Sequence, residues 1–150
     1  MSCAECAHHA AIEELLHSYV QRIDDGHLEG FAELFRHGRW NGIEGYDAVL
    51  SWLRRNVILY DGTPRTTHLM SAPRISVRHD TAHVRSTVTV LQQAEPSQPI
   101  STIAVNDYDD TFIRVDVGWR WLERSVLRRL RTDMRGHLRL NSDRDGVSRM

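Results

Sequence analysis

IEELLHSYVQRIDDGHLEGFAELF, residues 12–35, decides how the rest of the chain must fold. Ile12, Leu15, Leu16, Tyr19, Val20 and Ile23 recur at steps of three and four, which puts them on one stripe of a helix. The spacing predicts that helix from about Ala7 to Asp25. Asp24 continues the four-residue steps from Leu16 and Val20, so its carboxylate points along the apolar stripe, toward the interior. Asp25-Gly26 then stops the helix. Leu28, Phe31, Leu34 and Phe35 predict a short second helix, which Gly30 weakens. The two form a helical hairpin whose apolar faces need a cover.

The cover follows in the sequence. Arg39 to Gly45 reads as a loop or short strand with Trp40 as an anchor, and Tyr46, Val49, Leu50 and Leu53 mark a third helix, about Tyr46 to Val57. Asp47 suits the positive end of that helix. Beyond it the period changes to two. Arg74 to Arg78 alternates, His79-Asp80 is a turn candidate, and Ala82, Val84, Ser86, Val88 and Val90 share one strand face. The two prolines in Glu95 to Pro99 exclude a central strand. Ile100 to Val115 resumes strand character, Asp116-Val117-Gly118 turns, and Trp119 to about Arg131 returns. Helices followed by strands is an α+β order, not βαβ. The expected fold is a cone-shaped, curved antiparallel sheet wrapped around three N-terminal helices, with one open end. Residues 1–131 form this single domain; residues 132–150 form a polar, arginine-rich tail expected to be loose or to cover a neighbour.

Composition narrows the function. A chain of 150 residues supports one domain with a real core. A formal net charge of −1 gives no support for nucleic-acid binding. All 19 basic residues are arginine, which excludes Schiff-base catalysis and a Walker phosphate loop, since both need a lysine amine. No apolar run approaches a membrane span, and the polar N-terminus carries no signal-peptide core, so a cytoplasmic location is expected. Cys3 and Cys6 could hold zinc or form a redox disulfide. Without a second ligand pair or a preceding strand, they read as incidental thiols on a frayed end, and no metal site is expected.

The clearest chemistry is a carboxylate aimed inward, Asp24, and a histidine that could meet it. His68 stands in Arg65-Thr66-Thr67-His68-Leu69-Met70, at the start of a strand-like region. Together they are the parts of an acid–base dyad. Each residue also has a plainer reading. Asp24 can be a solvated helix end, and His68 an edge-strand residue bonded to backbone. His17, His27, His37, His79, His83 and His137 read as residues of exposed faces or turns.

The run 12–35 resembles the opening of SnoaL-like proteins of the nuclear-transport-factor-2-like superfamily. Gly45-Tyr46-Asp47-Ala48-Val49 resembles the start of that family's third helix, Thr66-Thr67-His68-Leu69-Met70-Ser71 its histidine strand, and Trp119-Arg120-Trp121-Leu122-Glu123-Arg124 its closing strand. The similarity spans roughly Ala11 to Arg131. It extends to the branch with scytalone dehydratase, bile-acid 7α-dehydratase and hexachlorocyclohexane dehydrochlorinase, and implies that their Asp–His pair falls on Asp24 and His68. It further implies that Tyr19 is an active-site tyrosine and that Arg124 corresponds to an arginine near the leaving group. The dehydrochlorinase lysine is missing here, which counts against dehalogenation. So is the second histidine that scytalone dehydratase carries on a middle strand. Related polyketide cyclases place an acid on a late strand, which makes Asp109 or Asp110 a secondary candidate. The plainer readings are core packing for Tyr19, a surface or interface ion pair for Arg124, and a charged sheet edge for the aspartates.

The expected function is therefore a lyase or isomerase, dehydratase-like, acting without metal or organic cofactor on a steroid-, polyketide- or terpenoid-like ring compound. Its pocket is expected to include Trp40, Tyr46, Met70 and Val88. The alternatives are a non-catalytic small subunit like the beta subunit of ring-hydroxylating dioxygenases, with Trp119 and Trp121 at its interface, or a ligand-binding protein. The partners expected are a hydrophobic small molecule and a second or third copy of the chain, with no nucleic acid and no membrane.

Overall fold

The computed structural model describes residues 1–139. Helix α1 runs Cys3–Asp24, α2 Leu28–Glu33 and α3 Tyr46–Asn56. The strands are β1 (Arg39–Trp40), β2 (Ile43–Glu44), β3 (Thr66–Met70), β4 (Arg74–Arg78), β5 (Thr81–Gln92), β6 (Ser101–Val115) and β7 (Gly118–Arg131). The first helix begins earlier than its apolar period, because Ser2 and Glu5 make a capping box. The Ser2 hydroxyl accepts from the Glu5 amide at 3.2 Å, and the Glu5 carboxylate accepts from the Ser2 amide at 2.6 Å. Cys3 and Cys6 therefore sit on an ordered first turn, exposed and unpaired by any disulfide, and not on a frayed end.

The seven strands make one curved, unclosed sheet in the order β2-β1-β7-β6-β5-β3, with β4 also on β5. All pairings are antiparallel except β1 with β7. Strand β5 is long enough to serve two short partners on one side: β3 pairs with Val88–Gln92 and β4 with Thr81–Arg85. Ser71 makes the corner between them, its hydroxyl accepting from the Thr87 amide at 2.9 Å. The alternation on β5 is carried through, with Ala82, Val84, Ser86, Val88 and Val90 all buried and Gln92 added to the same face. Register shifts at Val90/Leu91 on β5, and at Val105/Asn106 and Thr111/Phe112 on β6, bend the sheet toward the helices.

The concave face closes over an aromatic core. Tyr19, Phe31, Phe35, Trp40, Trp52, Phe112 and Trp121 are all buried, with ring centroids 4.6–6.1 Å apart in tilted and edge-on contacts. Trp121 is thus a core residue rather than an interface one, and Trp119 donates to His8. Among the described residues no helix is long and apolar enough to cross a membrane.

The stretch 132–139, expected to be loose or to cover a neighbour, folds back on the chain itself. The Gly136 carbonyl accepts from the Tyr60 hydroxyl at 2.5 Å and from Gln92 Nε2 at 2.9 Å. The Ile58 amide donates to His137 O, the Arg139 amide to Asn56 O, and Leu138 bridges to Val57. The rest of the tail, 140–150, lies outside the described residues.

Candidate active site

The turn after α1 places the acid. Gly26 adopts φ +73°, and it packs so closely on Gly62 that a Cβ would overlap the Gly62 carbonyl oxygen. This contact docks the end of α1 on the loop leading into β3, and brings Asp24 beside Thr66 and His68. Asp24 Oδ1 accepts from the Thr66 hydroxyl at 2.9 Å and faces His68 Nδ1 at 2.6 Å; Oδ2 accepts from the His68 amide at 2.8 Å. An ionised carboxylate can only accept, so the pairing assigns the ring proton to Nδ1 and leaves the lone pair on Nε2. The side chains are 7% exposed for His68 and 19% for Asp24, so the pair is largely out of bulk water.

His68 forms part of the wall of a partly open cavity of about 70 Å³ bounded by the helices, β5, β6, β7 and the returning segment. Its other walls are mostly apolar: Ile23, Phe31, Trp40, Trp52, Leu53, Val57, Val90, Val126 and Leu138. Tyr19 contributes too, its hydroxyl accepting from Trp40 Nε1 at 3.2 Å. Tyr108 and Asn106 add polar groups from β6, and Arg128 and Arg131, both largely exposed, line the cavity from β7.

Of the expected pocket residues, Trp40 lines the cavity. Val88 is buried one pleat away from Val90, which does line it. Met70 is half-buried beyond His68 on β3, and Tyr46 lies under the Arg36 guanidinium, 4.5 Å from its ring centroid. Asp24, His68 and Tyr19 are brought to one place. Arg124 is one layer behind. It is fully buried, not at the surface, and grips Asp110 through Nε at 2.6 Å and an η-nitrogen at 2.7 Å. Its guanidinium carbon lies 4.1 Å from the Tyr19 ring centroid and 4.4 Å from that of Tyr108. Burial opposes its charge, yet the Asp110 carboxylate outweighs that and holds the guanidinium above its ordinary pKa. Strand β6 lies inside the sheet, so Asp109 and Asp110 are not a protective edge. Asp110 is the partner of Arg124 and of Trp121 Nε1, while Asp109 pairs with Arg85 on the exposed face. Burial, reinforced by the neighbouring Tyr19, pushes the Tyr108 phenol well above its ordinary value.

One site residue escapes the sequence reading. His137 is buried, not exposed, and lines the same cavity, its ring centroid 6.4 Å from that of His68. Burial first, and then the His68 charge, lower its pKa to about 4. The available signal was the pair Met134 and Leu138, apolar residues four apart flanking it in a polar tail. Among the described residues, no group of three or more His, Cys, Asp or Glu is placed to hold a metal ion.

The fold and site can be set beside known proteins. An NTF2-like protein with a cystatin-like fold from Novosphingobium aromaticivorans superposes with a TM-score of 0.68 at 23% identity, over 82% of each chain. A candidate scytalone dehydratase from the same organism gives 0.70 at 25% identity, over 89% of this chain and 91% of that one. The beta subunit of a candidate aromatic-ring-hydroxylating dioxygenase, again from that organism, gives 0.69 at 19% identity, over 91% and 98%. No curated protein sequence matches the chain. Residues 4–125, the greater part of the chain, match the SnoaL-like domain, and the protein belongs to that family.

Proposed function

We propose that the protein is a lyase or isomerase that uses the Asp24–His68 pair to remove a proton from a hydrophobic ring compound. The observation that carries this reading is the 2.6 Å contact between Asp24 Oδ1 and His68 Nδ1 at the wall of a largely apolar cavity. It leaves Nε2 as a base whose tautomer is set by its partner. Nε2 takes the proton from a carbon beside a carbonyl, and the electron pair moves onto the carbonyl oxygen. The Tyr19 hydroxyl donates to that oxygen. Arg124 does not touch the ligand. As a positioning residue, its charge behind the Tyr19 and Tyr108 rings polarises their O–H groups and makes them stronger donors. In elimination the enolate re-forms the carbonyl, a double bond forms, the bond to a β-hydroxyl breaks, and the departing oxygen takes the proton from His68. In isomerisation His68 returns the proton to another carbon.

The cavity is partly open, and its inner space of about 70 Å³ is smaller than the cavity of about 150 Å³ that holds benzene, so a ring reaches His68 from the open side or with a wall side chain displaced. A steroid-, polyketide- or terpenoid-like compound fits this reading if its reacting ring alone occupies the inner space. Exposed Leu69, Leu122, Leu127 and Leu130 on the sheet favour a homodimer or homotrimer, which light scattering of the purified protein tests. The test of the activity is deuterium uptake at the α-carbon of cyclic ketones in heavy water, followed by NMR. Uptake by the native protein and its loss in both Asp24→Asn and His68→Ala is expected. Equal uptake in either variant sinks the reading.

A further inference from the structure

We propose that His137 is a second ligand-binding group of the cavity, donating a hydrogen bond to a hydroxyl or carbonyl oxygen on the same ring that His68 deprotonates. This rests on the reading of the cavity as a substrate site and goes beyond the dyad.

The two imidazoles face one hollow but are held differently. His68 is fixed at Nδ1 by a carboxylate and is therefore committed as an acceptor on its other nitrogen. His137 has no such partner: among the described residues its Nδ1 is enclosed without any hydrogen bond. An enclosed N–H without an acceptor costs more than an enclosed lone pair that water or protein can approach imperfectly. The favoured tautomer therefore leaves the lone pair on Nδ1 and the proton on Nε2, at the far edge of the ring. Since Nδ1 is shut in by protein and the residue lines the cavity, that other edge is the part able to meet a ligand.

Charge and setting agree with a donor rather than an acid. The low pKa keeps the ring neutral near pH 7, so it offers an N–H and not an imidazolium proton. Leu138, Val57 and Leu53 line the hollow with it, while the cations of the cavity, Arg128 and Arg131, stand on β7. A neutral oxygen, hydroxyl or carbonyl, is the matching chemistry. The ring is carried into place by backbone contacts and not by its own side-chain bonds. Ile58 N donates to its carbonyl at 2.9 Å, and the Tyr60 hydroxyl and Gln92 hold Gly136 beside it. A buried polar ring whose position is set by the chain, and whose Nδ1 has no partner among the described residues, has the arrangement of a binding group.

Phenol and resorcinol test this, the second hydroxyl of resorcinol being the group His137 would hold. Calorimetric titration of the native protein is expected to show resorcinol binding about tenfold more tightly than phenol. In His137→Phe that advantage disappears while phenol binding persists. If resorcinol gains nothing over phenol in the native protein, or gains equally in the variant, the role of His137 is overturned and the cavity reading stands. If phenol itself does not bind, the cavity reading falls and this one with it. Should His137→Phe fail to fold, the nitrogen-15 shifts of the native His137 ring decide. Resorcinol is expected to shift its nitrogens toward a single hydrogen-bonded tautomer while phenol leaves them unchanged; identical spectra with both overturn the proposal.

Discussion

The carboxylate of Asp24 holds His68 twice, once at the ring and once at the backbone: Oδ1 lies 2.6 Å from Nδ1 and Oδ2 accepts from the His68 amide at 2.8 Å. One acid therefore fixes both where the strand begins and how its imidazole is turned. Asp24→Asn can keep both contacts only by turning its amide nitrogen to Nδ1, which puts the ring proton on Nε2 and takes the lone pair away from the cavity. Loss of about 10²–10⁴ in proton-transfer rate is expected with little change in stability. Thermal melts beside the deuterium-uptake assay check the two effects. Full activity in this variant would refute the role of the acid.

The close approach of Gly26 to Gly62 locks the end of α1 to the approach to β3. Gly26→Ala would have to hold a left-handed backbone, at about 1–2 kcal/mol, and also displace the Gly62 carbonyl. A total of about 2 kcal/mol or more is expected in urea unfolding. An unchanged midpoint would show that the turn adapts without cost.

The buried Asp110–Arg124 pair makes a different prediction. Removing one partner leaves the other charged in a dry core, so Arg124→Met alone should cost about 3–5 kcal/mol. The double variant Arg124→Met/Asp110→Leu should be less damaged than the single one, since no orphan charge remains. Denaturant unfolding of both decides this, and a double variant weaker than Arg124→Met would contradict it.

Acid stability carries a signature of His137. Its folded pKa of about 4 lies below the unfolded value of 6.5, so between these limits the unfolded chain binds the extra proton. Stability from this group is intact above pH 6.5 and is lost as the pH falls toward 4, by about 3 kcal/mol at most. His68 and Asp24 face the same ring, and Asp24 offsets part of the effect. Unfolding free energies measured from pH 7 to 4 should fall more steeply in the native protein than in His137→Phe. Parallel curves would rule out the buried neutral ring.

Much of this architecture can be read locally. The three- and four-residue steps of residues 12–23 orient α1 and point Asp24 inward, and the two-residue period of β5 selects its buried face. That Asp24 meets His68 has no local sign, since 44 residues separate them; family resemblance points to the pairing. Arg124 shows where periodicity misleads. Alternation from Trp119 and Trp121 would turn Glu123 inward and Arg124 outward. The bulge opposite Thr111/Phe112 inserts Leu122, so Trp121 and Arg124, three residues apart, are both buried. The Arg124 environment thus depends on a kink that composition does not announce. His137 is obscured for another reason: its surroundings are polar, and only backbone pairing with the loop after α3 carries it inside.

That backbone pairing has a consequence for how the molecule comes into being. The last sheet strand is complete at Arg131, but the cavity wall that carries His137 depends on contacts such as Tyr60 to Gly136, which span 76 positions. During synthesis the Asp24–His68 pair can therefore assemble before that wall is in place.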